Sequence, residues 1–211
     1  MKPITFDIIE QAFIKNKYNL YLEKAYDLNL FGIRSSNSKS DSFDDFIGCV
    51  YVDDKFNKQI VVFPATTDPG KHWLLNPMNV KGTIIMVPGQ HKNAYKIGFH
   101  NIGNPKEAYP AFQQVGLMTY VRDNDKSEYL DFNLYRDLTV RAKNIFTSLA
   151  ATNIHRASKW KKLFNIGMYS AGCQVLQNDA DLTVLLDLGK KQIEYTGYKK
   201  FTYTLFEEFE L

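Results

Sequence analysis

The sequence predicts a mainly β domain, a sandwich or barrel of short strands, with an amphipathic helix at its N-terminus. Three observations carry this. From residue 45 onward, β-branched and aromatic runs recur between Asp, Pro and Gly turns. Residues 5–15 instead space their apolar positions at a helical period. Hydrophobic residues make up 45% of the 211 positions, with 15 Phe and 13 Tyr, enough apolar surface for one sizeable core and too much for a disordered chain.

Taken in order, the helix puts Phe6, Ile9 and Phe13 on one side, with Ile14 a further candidate, and polar residues on the other. "YDLNLFGIR" alternates apolar and polar residues as a strand does, and "SSNSKSDS" (35–42) reads as a solvated, flexible Ser-rich tip. "DFIGCVYVDD", "KQIVVFPATTDPG", "VKGTIIMVPGQ", "AYKIGFHNIG" and "QVGLMTYVRD" supply further strands. In the polar turn "DNDKSEYLDF", Asp123, Asp125, Ser127 and Asp131 have the alternating oxygen spacing of a calcium loop. Glu128 stands where such a loop needs Gly and Leu134 where it needs a bidentate Glu, so a plain turn is expected. The tail "QIEYTGYKKFTYTLFEEFEL" alternates Tyr, Phe and Thr with charge, as a final hairpin and edge strand, or a partner surface, would. The expected organisation is an N-terminal helix, strand and loop over 1–44, a main domain over 45–185, and a β and acidic tail over 186–211 packed on it.

Composition excludes several classes. The balance of 26 Lys+Arg against 23 Asp+Glu, a net charge of +3, is too small for a nucleic-acid partner. No apolar run is long enough to insert in a membrane. Asp7, Glu10, Gln11 and Lys15 interrupt the first apolar positions, unlike a secretory signal, so the chain is expected to be cytoplasmic at synthesis. The two cysteines make no disulfide framework, although a Cys49–Cys173 bond is formally open; Cys49, flanked by Ile47 and Val50, reads as a small buried hydrophobe.

Cys173, in "MYSAGCQVL", is the residue with chemical promise. A thiol nucleophile needs a base, and the chain has four histidines. His72 and His91 adjoin Pro-Gly turns and are expected at the surface; His100 ends a strand and is a candidate to face a cleft. His155 stands near a strand end in "AATNIHRAS", 18 positions before Cys173, with the basic stretch Arg156, Lys159, Lys161 and Lys162 between them. Nearby positive charge lowers a thiol pKa. Gly172 lets the backbone bend closely, so that amides before the thiol can meet a developing oxyanion. The spacing has none of the paired ligands of a zinc site, and no metal or cofactor is expected.

"IHR", an interval of comparable length and "SAGCQV" together resemble the signature of the L,D-transpeptidase catalytic domain, in a divergent, phage-associated version. The resemblance spans roughly residues 45–185, its specific motif lies within 154–175, and "TTDPGKHWLLNP" looks like the family's strand-turn-strand. It implies an L,D-transpeptidase-like β sandwich or barrel and a thioester formed on the stem peptide of peptidoglycan. Cys173 would be the nucleophile, His155 its base, and the Ala171, Gly172 and Cys173 amides the oxyanion hole, with Ser170 shaping the bend. Arg156 is a candidate to hold a substrate carboxylate, the other reading being an internal pair with Asp179 or Asp181; His100 is a second substrate-binding candidate. Two departures stand out: Ala171 replaces the bend histidine and Arg156 replaces the small residue after the first histidine. The first puts hydrolysis beside transpeptidation as the outcome. The implied place of action is the bacterial cell wall, with phage virion proteins as further partners. The competing reading is a virion-associated or wall-binding structural protein that keeps the fold without the reaction, and a third is a Cys–His hydrolase of another amide or ester.

Overall fold

The computed structural model describes residues 3–211. Eight strands close into a barrel: β1 (Asn29–Arg34), β2 (Asp45–Val52), β3 (Lys58–Thr66), β5 (Gly89–His100), β6 (Tyr109–Gln114), β9 (Ile154–Ser158), β10 (Gln174–Asn178) and β11 (Phe201–Glu207). Around the barrel the order is β1-β11-β5-β6-β9-β10-β3-β2. Most neighbours are antiparallel; β1 with β11 and β9 with β10 are parallel. A separate sheet orders β4 (Thr83–Met86), β7 (Met118–Asp123) and β8 (Phe146–Ser148). The mainly β architecture expected from the short runs is present.

One core fills the barrel. Leu30, Ile47, Cys49, Tyr95, Phe112, Ile154, Leu176 and Tyr203 meet there, joined by Met86, Met118 and Tyr120 of the small sheet. Helix α1 (Phe6–Lys15) covers the other side of the wall, packing Phe6, Ile9, Ala12 and Phe13 on Phe31, Ile33, Val50 and Phe206. Each such side chain contributes on the order of 2 kcal/mol. Thr5 caps the helix by accepting from the Ile8 amide at 3.4 Å, with Asp7 in the first turn and Lys15 in the last, as the helix dipole favours. Ile14 points to water. Because the wall is covered on both sides, all six residues of β1 are buried, and the alternation read in its sequence does not translate into an exposed face.

Three sequence expectations are corrected. The tail is no hairpin: helix α5 (Asp179–Thr196) runs through position 185/186 and places Leu182, Leu185, Leu186 and Leu188 in the barrel core, and β11 then pairs with β1 and β5. "TTDPGKHWLLNP" is not strand-turn-strand, because a short helix, α2 (Lys71–Leu75), follows Gly70. Two more short helices, α3 (Asn133–Arg136) and α4 (Leu138–Asn144), precede β8. The Ser-rich stretch is tied down rather than free. Ser40 Oγ donates to Glu128 O at 2.7 Å, and the Asp41 carboxylate accepts from the Gly167 amide and from Asn165 Nδ2.

A buried polar knot joins the barrel to the small sheet. Arg34, without exposure to water, sits 2.7 Å from Asp68 and donates to Met86 O at 2.8 Å and to the Tyr135 hydroxyl at 3.2 Å. Asp45 accepts from the Ser35 and Thr67 amides at 2.7 and 2.6 Å, yet burial and the Asp68 charge push its carboxyl up to about 8. Among the described residues no helix is long and apolar enough to cross a membrane.

Candidate active site

The parallel pairing of β9 with β10 places the backbone of His155 beside the start of the strand that Cys173 leads into. Ile154 is opposite Gln174 and His155 opposite Val175. Ile154 lies in the barrel core, so by strand alternation His155 takes the other face with Val175, while Cys173 precedes β10, in the bend that Gly172 turns.

His155 is buried, and its surroundings define its proton. Nδ1 lies 2.8 Å from Arg156 O. A carbonyl oxygen only accepts, so Nδ1 carries the hydrogen and Nε2 presents its lone pair. Nε2 is itself buried and has no hydrogen-bond partner among the described residues. Burial, helped by His100 alongside, drives the His155 pKa down to about 3, so the ring is neutral at any physiological pH. The His100 ring stacks on it with centroids 3.8 Å apart and planes 16° from parallel. His100 in turn accepts from Asn153 Nδ2 at 3.2 Å, and burial holds its pKa near 4. Tyr109 donates its hydroxyl to Arg156 O at 3.2 Å and lies the same distance from His155 Nδ1.

Cys173 ends a tightly organised bend. Ser170, fully buried, donates from Oγ to Cys173 O at 2.8 Å and accepts there from the Gly172 amide at 3.2 Å. The Gly70 amide bonds Ser170 O at 2.9 Å, and Trp73 Nε1 bonds Met168 O at 3.0 Å, so α2 props the bend from below. Gly172 has φ +117°, and a Cβ there would lie 2.6 Å from Ile84 Cγ1 and 2.8 Å from Ile84 O. Only glycine satisfies both conditions. The amides of Ala171 and Cys173 donate to no protein group among the described residues, whereas that of Gly172 is taken by Ser170. Of the three amides expected to form the oxyanion hole, that of Gly172 is therefore already engaged.

The thiol differs from its expectation in two respects. Its polar contact is Ala151 O, at 3.7 Å, and no hydrogen bond joins it to His155. Although Cys173 is partly exposed, enclosure by protein pushes its pKa up to about 11, offset only in part by the Asn153 amide. The basic stretch does not lower it. Arg156 is turned away: its Nε lies 2.8 Å from Asp179 Oδ1 and its guanidinium stacks 3.9 Å from the Tyr109 ring centroid. Of the two internal partners considered, Asp179 is the one used; Asp181 instead bonds Asn178 at the start of α5. Cys49 is buried and separate from Cys173, and burial raises its thiol further still.

His100, Tyr109, His155, Arg156, Trp160 and Tyr169 line a cleft of about 420 Å³. Cys173 is not part of its lining. A larger cavity, about 900 Å³, is lined by Lys24, Lys92, Gln192, Tyr198 and Lys200, toward the opposite end of β5, and contains neither histidine nor cysteine. His91, expected at the surface, is buried with Nε2 3.2 Å from Val87 O, because β5 pairs there with β11. Tyr109 and Asn153 are the site residues the sequence did not reveal; as an ordinary Tyr and Asn in unremarkable contexts, they carried no signal. Among the described residues no three His, Cys, Asp or Glu side chains are grouped to hold a metal. No family model matches the chain, and no curated protein or solved structure matches it either.

Proposed function

We propose that the chain is a cysteine-dependent enzyme acting on the stem peptide of bacterial peptidoglycan through a thioester on Cys173. The observation that carries the reading is His155: neutral, buried, its Nε2 without a hydrogen-bond partner among the described residues, on the strand paired with the one that Cys173 leads into. The motif around Cys173, which resembles that of the L,D-transpeptidases, supplies the substrate class.

In this reading the thiol and imidazole are both neutral at rest. Attack of sulfur on an amide carbonyl forms the S–C bond while the thiol proton passes to Nε2, which needs the sulfur to swing from Ala151 O toward the imidazole. The negative oxygen meets the free amides of Ala171 and Cys173. Collapse breaks the C–N bond as the imidazolium returns the proton to the leaving amine. Water, or an acceptor amine, then attacks the thioester, loses its proton to Nε2 and releases the thiol, which takes the proton back. The Nδ1 bond to Arg156 O holds the tautomer throughout.

A second reading, a wall-binding or virion-associated protein that keeps the fold without the reaction, is favoured by the missing Cys–His hydrogen bond and the raised thiol pKa. The two separate on one experiment. Purified peptidoglycan fragments are incubated with the protein and with Cys173→Ala, with products and acyl-enzyme followed by mass spectrometry. Turnover and a thioester adduct lost in the variant support the enzyme. A Cys173 that stays unmodified by both stem peptides and a carbapenem-type acylating probe supports the second reading.

A further inference from the structure

We propose that the segment joining β9 to β10 docks the protein on an anionic lipid bilayer, placing the mouth of the His155 cleft against the headgroups. From Ala157 to Asn178 the chain contains no Asp or Glu. Lys159, Lys161 and Lys162 are exposed there, and none is in an ion pair among the described residues. Between and beyond them stand Trp160, Phe164 and Met168, 85%, 79% and 62% exposed. Ile102, on the turn after β5 that also borders the cleft, is 67% exposed. Trp160 and Met168 themselves line the cleft, and large apolar side chains exposed at its mouth mark a contact surface rather than the scattered exposure of ordinary surfaces.

This exposure is not that of a loose loop. Gln177 Nε2 bonds Leu163 O, Asp41 holds Asn165 and Gly167, and Trp73 holds Met168 O. The side chains project from a fixed backbone, so little ordering is lost when they are buried.

The residue types select the partner. Trp and Phe settle at the boundary between headgroups and acyl chains, while lysines keep their ammonium groups among anionic headgroups. Protein interfaces are depleted in lysine. Single-stranded nucleic acid stacks on rings, which Met168 and Ile102 lack. Docking of this kind is independent of catalysis and holds whether or not Cys173 reacts.

The test is co-sedimentation of the full chain with phosphatidylglycerol and phosphatidylcholine vesicles, with tryptophan fluorescence read alongside. Binding to the anionic vesicles alone is expected, with a blue shift that Trp160→Ala removes. The triple change of Lys159, Lys161 and Lys162 to Gln is expected to weaken partitioning about a hundredfold. Trp160→Ala with Phe164→Ala is expected to weaken it at least tenfold; circular dichroism and the melting temperature check that both variants remain folded. No binding to phosphatidylglycerol vesicles overturns the proposal. So does binding that neither variant changes, or loop-dependent binding to a single-stranded oligonucleotide or soluble wall glycan in place of vesicles.

Discussion

His155 turns acidification into a measurement of the site. Its pKa is about 3 in the folded protein against 6.5 in an exposed histidine. Above pH 6.5 neither state holds the proton, and the histidine contributes no pH dependence. As pH falls below 6.5 the unfolded chain takes up a proton that the folded one refuses, so stability drops until the folded pKa is reached. From pH 6.5 to 5 that amounts to about 2 kcal/mol at 1.36 kcal/mol per unit, a large share of the typical 5–15 kcal/mol. Other groups titrate in the same range, so the clean quantity is a difference. Urea unfolding of the protein and of His155→Asn is compared at pH 7.5 and pH 5.0. Whatever His155→Asn costs by losing the stacked ring, the gap in stability between the two proteins is expected to shrink by about 2 kcal/mol at the lower pH. A gap that stays constant, or an NMR titration of His155 with a midpoint near 6.5, refutes the account of a buried, neutral imidazole.

Other perturbations report on other parts. With the Cys173 thiol pushed up to about 11, iodoacetamide labelling is expected to accelerate roughly tenfold per pH unit between pH 7 and 10. A rate already on its plateau below pH 7 would reveal a thiolate–imidazolium pair and overturn the neutral resting state. Gly172→Ala meets Ile84 and an unfavourable φ together, a cost of about 2–4 kcal/mol in urea unfolding, and a loss under 1 kcal/mol would mean the bend adapts freely. Arg34→Met leaves Asp68 and Asp45 buried without their cation and is expected to cost about 3–5 kcal/mol; adding Asp68→Asn should recover part of it, and strictly additive losses would deny the coupling.

What the sequence disclosed depended on how local the cause was. Helix α1 was legible because its burial stripe and polar face sit within eleven residues, and the strands because each is a short run between turns. Helix α5 was not. Its leucine stripe is interrupted by Gly189, a poor helix former kept where a Cβ would come within 3.2 Å of Ile97 and 3.3 Å of Phe112, and its end runs into the Tyr and Thr alternation of the tail. The order of the Ser-rich loop rests on Glu128 and Gly167, distant in sequence, so local composition suggested freedom. At the site, His155 and Cys173 were identifiable by residue type and spacing. Tyr109 comes from β6, which folds beside them, Asn153 adjoins His155 but gave no sign of its bond to His100, and the engagement of the Gly172 amide by Ser170 is a matter of side-chain geometry alone.

The parallel alignment of β9 and β10 also constrains how this protein can vary. Parallel neighbours cannot be joined by a tight turn, because the chain must travel back to the starting end of the sheet before the second strand begins. The fifteen residues from Lys159 to Cys173 are that return path, and no helix or strand occupies them. Shortening the path would pull β10 out of register with β9. Lengthening it costs little, since loop entropy grows slowly with length. The path can therefore vary in length most freely over Lys159 to Lys162, ahead of the Gln177, Asp41 and Ser170 contacts that fix its second half, so the surface around the cleft can diversify while the bend before Cys173 keeps its shape.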